Sequence, residues 1–305
     1  MIRLALPDEG LRARLAARLP DAVLEVRTPA QLAGAPEAFD LLVLPYLGPA
    51  SAVAGLAGSG IRLVQAQTLG YDGIAAHLPD GITFCNAVGV HEASTAELVL
   101  ALVLAAQRGI PAAVRDAAAG SWRHERRPGL AGRRVLLVGV GGVGREVQRR
   151  LEPFDVELVL AGRTARPGVL GADDLLGALP GADIVVVAVP LGPETTGLVD
   201  ARFLAAMKPG ALLVNVARGP VVDTDALVEA VRAGRVRAAL DVTDPEPLPP
   251  GHPLWELPGV LITPHLGGDT AAMDARIDDV IVEQVRRLAA GEPPANAVLG
   301  PALLA

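Results

Sequence analysis

The chain has 305 residues and a formal charge of −7, with 51% hydrophobic and 20% charged residues. That is apolar material for two domains of roughly 100–200 residues each, and the acidic balance gives no electrostatic support for nucleic acid or an anionic membrane as partner. Cys85 is the only cysteine, which excludes an intrachain disulfide framework and a cysteine-built zinc cage, so no metal site is expected.

The N-terminal MIRLALPDEG reads as a short strand followed by polar residues, with no signal pattern. Short Leu-rich or β-branched runs at 2–6, 22–26, 40–44, 61–66 and 82–85 predict strands, and 9–19 predicts a helix. A helical pattern over 92–107 follows; its apolar run, 98–106, is far short of the ~20 residues that span a bilayer. A cytoplasmic protein is the expectation. Strands at 134–139, 156–161, 183–189, 211–216, 237–240 and 260–263 then alternate with helices at 142–152, 172–178, 201–206 and 224–233. A long helix near 270–290 closes the pattern. Continuous apolar strands separated by helices mean parallel sheets covered on both faces. The expected fold class is α/β, with two domains and the active-site cleft between them, at the carboxyl ends of the strands.

Within RRVLLVGVGGVGREV, Gly139, Gly141 and Gly144 form a G-x-G-x-x-G pattern directly after a strand and at the start of a helix. The first glycine permits the tight turn, the second lets backbone approach a pyrophosphate, and the third allows close helix–strand packing. This marks a Rossmann-like dinucleotide site over 92–268, leaving 1–91 and 269–305 as a flavodoxin-like substrate domain. An NAD site should place Asp or Glu at the tip of the next strand to bond the ribose 2′-hydroxyl. Here the tip reads Gly162-Arg163-Thr164-Ala165-Arg166, with no carboxylate. Two guanidiniums and a hydroxyl suit a 2′-phosphate, so NADP(H) is favoured over NAD(H).

Arg218 ends the apolar run 211–216 in ALLVNVARGPVVDTDAL, a strange place for a permanent charge unless it faces a ligand. Glu246 lies in the proline-flanked loop of LDVTDPEPLPPGHPLW, and His265 follows the strand of LITPHLGGDT. Around one nicotinamide, these three supply what 2-oxo acid reduction needs. Arg218 binds the substrate carboxylate and polarises the adjacent carbonyl. His265 gives a proton to the carbonyl oxygen and takes it back in the oxidative direction. Glu246 orients the imidazole and balances its positive charge. Each has a plainer reading as a surface or turn residue; the ordered set after a glycine fingerprint argues against coincidence.

With TLGYDGI, GITFCNAVGVHEASTAELVLALVLA, GSW and ADIVVVAVPLGPETTGLVD, these segments resemble the D-isomer-specific 2-hydroxyacid dehydrogenase family along nearly the whole chain. The resemblance implies catalytic Arg218, Glu246 and His265. It implies cofactor contacts at Gly142, Val143, Arg163, Pro190, Thr195, Val216, Ala217, Asp241 (toward the carboxamide), Gly267 and Thr95. It also implies that the backbone of Leu69 and Gly70 helps Arg218 and His265 hold the substrate, and that the protein is a homodimer joined through its cofactor domains. The missing acid resembles the NADP-preferring glyoxylate and hydroxypyruvate reductases, while Ala188 stands where many relatives carry His. A phosphite-type dehydrogenase on the same scaffold and a cofactor-sensing, corepressor-like binding protein are the alternatives.

Overall fold

A computed structural model describes residues 1–33 and 39–301. In chain order its strands are β1 (Arg3–Leu6), β2 (Val23–Val26), β3 (Leu41–Val43), β4 (Leu63–Gln65), β5 (Thr83–Cys85), β6 (Arg134–Val138), β7 (Glu157–Ala161), β8 (Val169–Leu170), β9 (Ile184–Val187), β10 (Ala211–Asn215), β11 (Val236–Leu240), β12 (Val260–Ile262) and β13 (Ala297–Leu299). They divide between two compact units, Met1–His91 with Ala271–Ala305, and Glu92–Thr270.

In the first unit the strand order is β13-β5-β4-β3-β1-β2, parallel throughout except for β13 on β5. Alternate side chains of each strand go to opposite faces, as the two-residue period requires. Leu4 and Leu6 join Leu41, Val43 and Cys85 under the helices Glu9–Ala16 and Ala272–Ala290, which contribute Leu11, Leu15, Ile277 and Ile281. Ala5, Leu42, Val64 and Phe84 face the other way, against Val53 and Leu56. The order β2-β1-β3-β4-β5 is the flavodoxin-like one.

The second unit has the order β12-β11-β10-β9-β6-β7-β8, with every pair parallel. Its first six strands by sequence follow the Rossmann order, reversing direction between β6 and β9. Val135, Leu137, Ile184, Val186, Leu212 and Val214 pack with the helix Glu92–Arg108 and the helix Gly142–Leu151. Leu136, Val138, Val185, Val187 and Leu213 pack on the opposite face with Phe203, Leu204 and Leu227. Both faces are buried, which is why these strands are apolar at consecutive positions.

Several elements depart from the predicted ones. The two-residue β8 and the antiparallel β13 are too short to give a periodic signal, and their place is set by sheet edges. A helix over Ile110–Ala118 follows Gly109, whose φ of 67° turns the chain, and Pro111 sits in its first turn, where a missing N–H costs nothing. The strand expected to 189 ends at Val187, and the first helix ends at Ala16 rather than 19. Among the described residues, no single helix is long and apolar enough to cross a membrane.

Candidate active site

Arg218, Glu246 and His265 all come from the second unit, and each follows the carboxyl end of one of three neighbouring strands. Asn215, Leu240 and Ile262, at the ends of β10, β11 and β12, stand side by side in register. The chain therefore delivers the three loops to one edge of the sheet. Gly219 brings two of them into contact: a Cβ on it would lie 1.9 Å from the carbonyl oxygen of Thr243. No side chain fits there, so the Arg218 loop needs glycine next to the Glu246 loop.

Arg218 is half-buried, with Nη1 donating to the carbonyl of Ala217 at 2.7 Å. Its backbone is held by Asn215, a buried amide at the tip of an otherwise apolar strand. Asn215 Oδ1 accepts from the Ala217 N–H at 3.0 Å, and Nδ2 donates to the Arg218 carbonyl at 3.0 Å. One side chain thus satisfies two backbone groups where the ladder stops.

His265 Nδ1 lies 2.6 Å from Glu246 Oε1. A carboxylate only accepts, so Nδ1 carries the hydrogen and Nε2 is the ring atom that faces other chemistry. Both side chains are partly exposed, at 34% and 41%. Glu246 Oε2 also accepts from the Thr243 N–H at 3.4 Å. The imidazole sits on a left-handed residue, φ 54°, a conformation that β-branched residues resist. Asp241 holds it there. Oδ1 accepts from the Thr263 hydroxyl at 2.6 Å and the Leu266 N–H at 2.8 Å, and Oδ2 from the Gly267 N–H at 2.9 Å. The His265 N–H donates to the Asp241 carbonyl at 2.9 Å. Asp241 therefore shapes the loop on both sides of the histidine, a role its sequence position alone did not reveal. Thr95 packs beside that loop, its Oγ1 3.3 Å from where a Gly267 Cβ would be.

The glycine fingerprint meets its physical demands. Gly139 has φ 109°, and a Cβ on it would strike the Ala188 carbonyl at 2.3 Å. Gly144 is pressed against the Gly139 carbonyl, 2.0 Å from its own would-be Cβ. The space above Gly141 is open, and Gly141 caps the helix Gly142–Leu151 without a side-chain hydrogen bond. The first N–H groups of that helix, from Gly142, Val143 and Gly144, are thus offered to an anion, reinforced by the helix dipole. The cradle fits a dinucleotide pyrophosphate.

The family model described as D-isomer specific 2-hydroxyacid dehydrogenase, NAD binding domain, matches residues 100–267. The chain belongs to the D-isomer specific 2-hydroxyacid dehydrogenase family. A glyoxylate reductase of Thermofilum pendens is 34% identical over 255 residues, 78% of this chain and 75% of its own. A D-3-phosphoglycerate dehydrogenase of Mycobacterium bovis is 38% identical over 280 residues, 88% of this chain but 52% of its own, so the chain spans about half of that relative. Among solved structures, a family member from Xanthobacter autotrophicus Py2 in complex with NADPH and MES is 34% identical with a TM-score of 0.82, over 97% of this chain and 98% of that one.

In the present chain the tip of β7 carries no acid. Arg163, Thr164 and Arg166 are exposed, and neither guanidinium has an acidic partner among the described residues. Backbone bonds between Arg166 and Val169 close the turn, with distances of 3.0 and 2.8 Å. The loop after β9 is stitched by Thr195, whose hydroxyl donates to the Pro190 carbonyl at 2.7 Å and accepts from the Gly192 N–H at 2.9 Å. Val216 and Ala217 are buried at the end of β10. In the first unit, the carbonyls of Leu69 and Gly70 are taken by Asn86 and Thr68. Sequence reasoning missed Asn215, Gly219, Thr263 and the loop-shaping part of Asp241. The signal for Asn215 was present, as a lone amide closing a run of buried apolar residues.

Proposed function

We propose that this protein is a dehydrogenase of small 2-hydroxy acids, reducing a 2-oxo acid such as glyoxylate or hydroxypyruvate, with NADPH preferred over NADH. The observation that carries the reading is the 2.6 Å pairing of His265 Nδ1 with Glu246 Oε1, at the same sheet edge as Arg218. When bound, the nicotinamide dinucleotide supplies the hydride. Gly139, Gly141 and the helix start at Gly142 and Val143 hold its pyrophosphate, and Arg163, Thr164 and Arg166 take the 2′-phosphate through charge-assisted bonds.

Arg218 binds the substrate carboxylate, which fixes the neighbouring carbonyl. The backbone N–H groups of Leu69 and Gly70 are also read as carboxylate donors, as the family resemblance implies. His265 Nε2 gives a proton to the carbonyl oxygen as negative charge develops there, while Glu246 keeps the ring oriented and compensates the imidazolium. In the oxidative direction Nε2 accepts the hydroxyl proton. The support for NADPH is the acid-free strand tip with two exposed guanidiniums, and a Xanthobacter relative whose structure contains NADPH. A homodimer accords with the apolar surface of the second unit, where Ile110, Val114 and Trp122 are exposed, Trp122 at 97%.

The test is a panel of glyoxylate, hydroxypyruvate, pyruvate and 3-phosphohydroxypyruvate with NADPH and with NADH, followed by nicotinamide absorbance. Turnover of at least one small 2-oxo acid, faster with NADPH, is expected. Failure of every acid with both cofactors would overturn the reading.

A further inference from the structure

The first unit contains a buried polar chain that the reaction as described leaves unused. Gln284, fully buried on the helix Ala272–Ala290, donates to the Gln65 Oε1 at 2.8 Å. It is locked in turn by Ala295, whose N–H and carbonyl it engages at 2.9 and 2.7 Å. Gln65, also fully buried, donates to the Asn86 carbonyl at 3.0 Å, and the Asn86 N–H donates to the Asn296 carbonyl at 3.1 Å. The backbone of Asn86 is therefore pinned on both sides. Its buried side chain then donates Nδ2 to the Leu69 carbonyl at 2.8 Å, while Oδ1 finds no partner among the described residues. A buried amide with an unsatisfied oxygen is a stability liability that an apolar residue would remove. What the amide does accomplish is the grip on Leu69.

That grip is one of three on consecutive carbonyls. The Thr68 carbonyl accepts from the Ala87 N–H at 2.9 Å, the Leu69 carbonyl from Asn86, and the Gly70 carbonyl from the Thr68 hydroxyl at 2.9 Å. The cis peptide bonds of the described chain are both at prolines elsewhere, so these three peptides are trans and planar. In a trans peptide the N–H points opposite to the C=O. Anchoring the three carbonyls thus turns the N–H groups of Leu69, Gly70 and Tyr71 away from their anchors, and none has an acceptor among the described residues. Successive N–H groups held without acceptors form a nest for an anion.

We propose that Asn86 and Thr68 are positioning residues that preset the peptides from Thr68 to Tyr71 to receive the substrate carboxylate. This rests on the reading of Leu69 and Gly70 as carboxylate-holding backbone. Neither side chain touches the substrate; each fixes a peptide plane before the acid arrives, so the donors need no reordering on binding.

The variants Thr68→Val, Thr68→Ser and Asn86→Asp test it with NADPH and glyoxylate, alongside binding of oxalate to the NADPH complex, read by nicotinamide fluorescence. Valine keeps the shape of Thr68 without the donor, and serine keeps the donor. Thr68→Val and Asn86→Asp should raise KM for glyoxylate and weaken oxalate by about tenfold or more, with kcat and the NADPH Kd little changed, because a uniform binding contact is lost. Thr68→Ser should stay near the parent protein. Should Asn86→Asp fail to fold, the Thr68 pair decides alone. An active parent whose Thr68→Val form keeps its KM and oxalate affinity, or whose serine and valine forms weaken alike, overturns the positioning role and spares the proposed reaction. A parent that turns over none of the four 2-oxo acids with either cofactor and does not bind oxalate overturns both; where glyoxylate is not turned over, the kinetics are read with the panel acid the parent reduces best.

Discussion

Gly219 and Thr243 come from different loops, yet a single methyl group on Gly219 would overlap the Thr243 carbonyl, 1.9 Å away. The loop that carries Arg218 and the loop that carries Glu246 are thus fitted to each other through backbone. Gly219→Ala forces one of them to move, and displacement of about 1 Å is enough to disturb oriented groups by around a hundredfold. The expected result is a loss of 2-oxo acid turnover of that order with dinucleotide binding retained, measured by steady-state kinetics and NADPH fluorescence. Unchanged kinetics would mean the two loops are not mechanically linked to the chemistry.

Arg218→Lys retains the charge but loses the planar fork that meets a carboxylate with two bonds. Turnover per unit KM should fall by about tenfold or more while NADPH affinity holds. A lysine variant with parental kinetics would show that only a point charge is needed.

Glu246→Gln keeps the size of the side chain and removes its charge beside His265 Nδ1. The amide oxygen can still accept from Nδ1–H, but no negative charge remains to compensate the imidazolium. Reduction should slow by at least about tenfold, and His265→Ala by roughly 10²–10⁴, the usual worth of a general acid. A double variant no slower than His265→Ala alone is expected if the two act as one unit; independent, multiplying losses would separate them.

Replacing both Arg163 and Arg166 with Ala should weaken NADPH by about ten- to a hundredfold for each charge-assisted bond lost, about 1.5–3 kcal/mol apiece, and leave NADH nearly untouched. Titration of the two cofactors by fluorescence distinguishes this from general damage, in which both affinities would fall together.

Burial pushes the Cys85 thiol up to about 11, above the ordinary thiol value of 9.0, despite a smaller opposing effect of Gln284. In the folded state the thiol keeps its proton between pH 9 and 11, while the unfolded chain loses it. Stability contributed by this group is therefore intact below about pH 9 and declines as pH rises towards 11, by up to roughly 3 kcal/mol. Chemical unfolding across that range should show the decline in the parent protein and a flatter profile in Cys85→Ala. The native thiol should also resist alkylation at pH 8, since the thiolate is the nucleophile.

Much of this molecule could be read from local pattern. Strands buried on both faces announce themselves as unbroken apolar runs, and the fingerprint glycines are demanded by contacts that any strand–turn–helix of this kind must make. Arg218, Glu246 and His265 stood out because charge and imidazole follow apolar strands, where the chain would otherwise have no use for them. The family resemblance then tied them to one chemistry. What pattern could not supply was anything resting on contacts between segments far apart in the chain. β8 and β13 are strands only because a sheet edge accepts them. Asn86 and Leu69, 17 residues apart, and Asp241 and Gly267, 26 apart, meet only once neighbouring strands have set their register. An amide or carboxylate in the sequence says that hydrogen bonds are needed; which backbone groups receive them is decided when the chain folds and water is excluded.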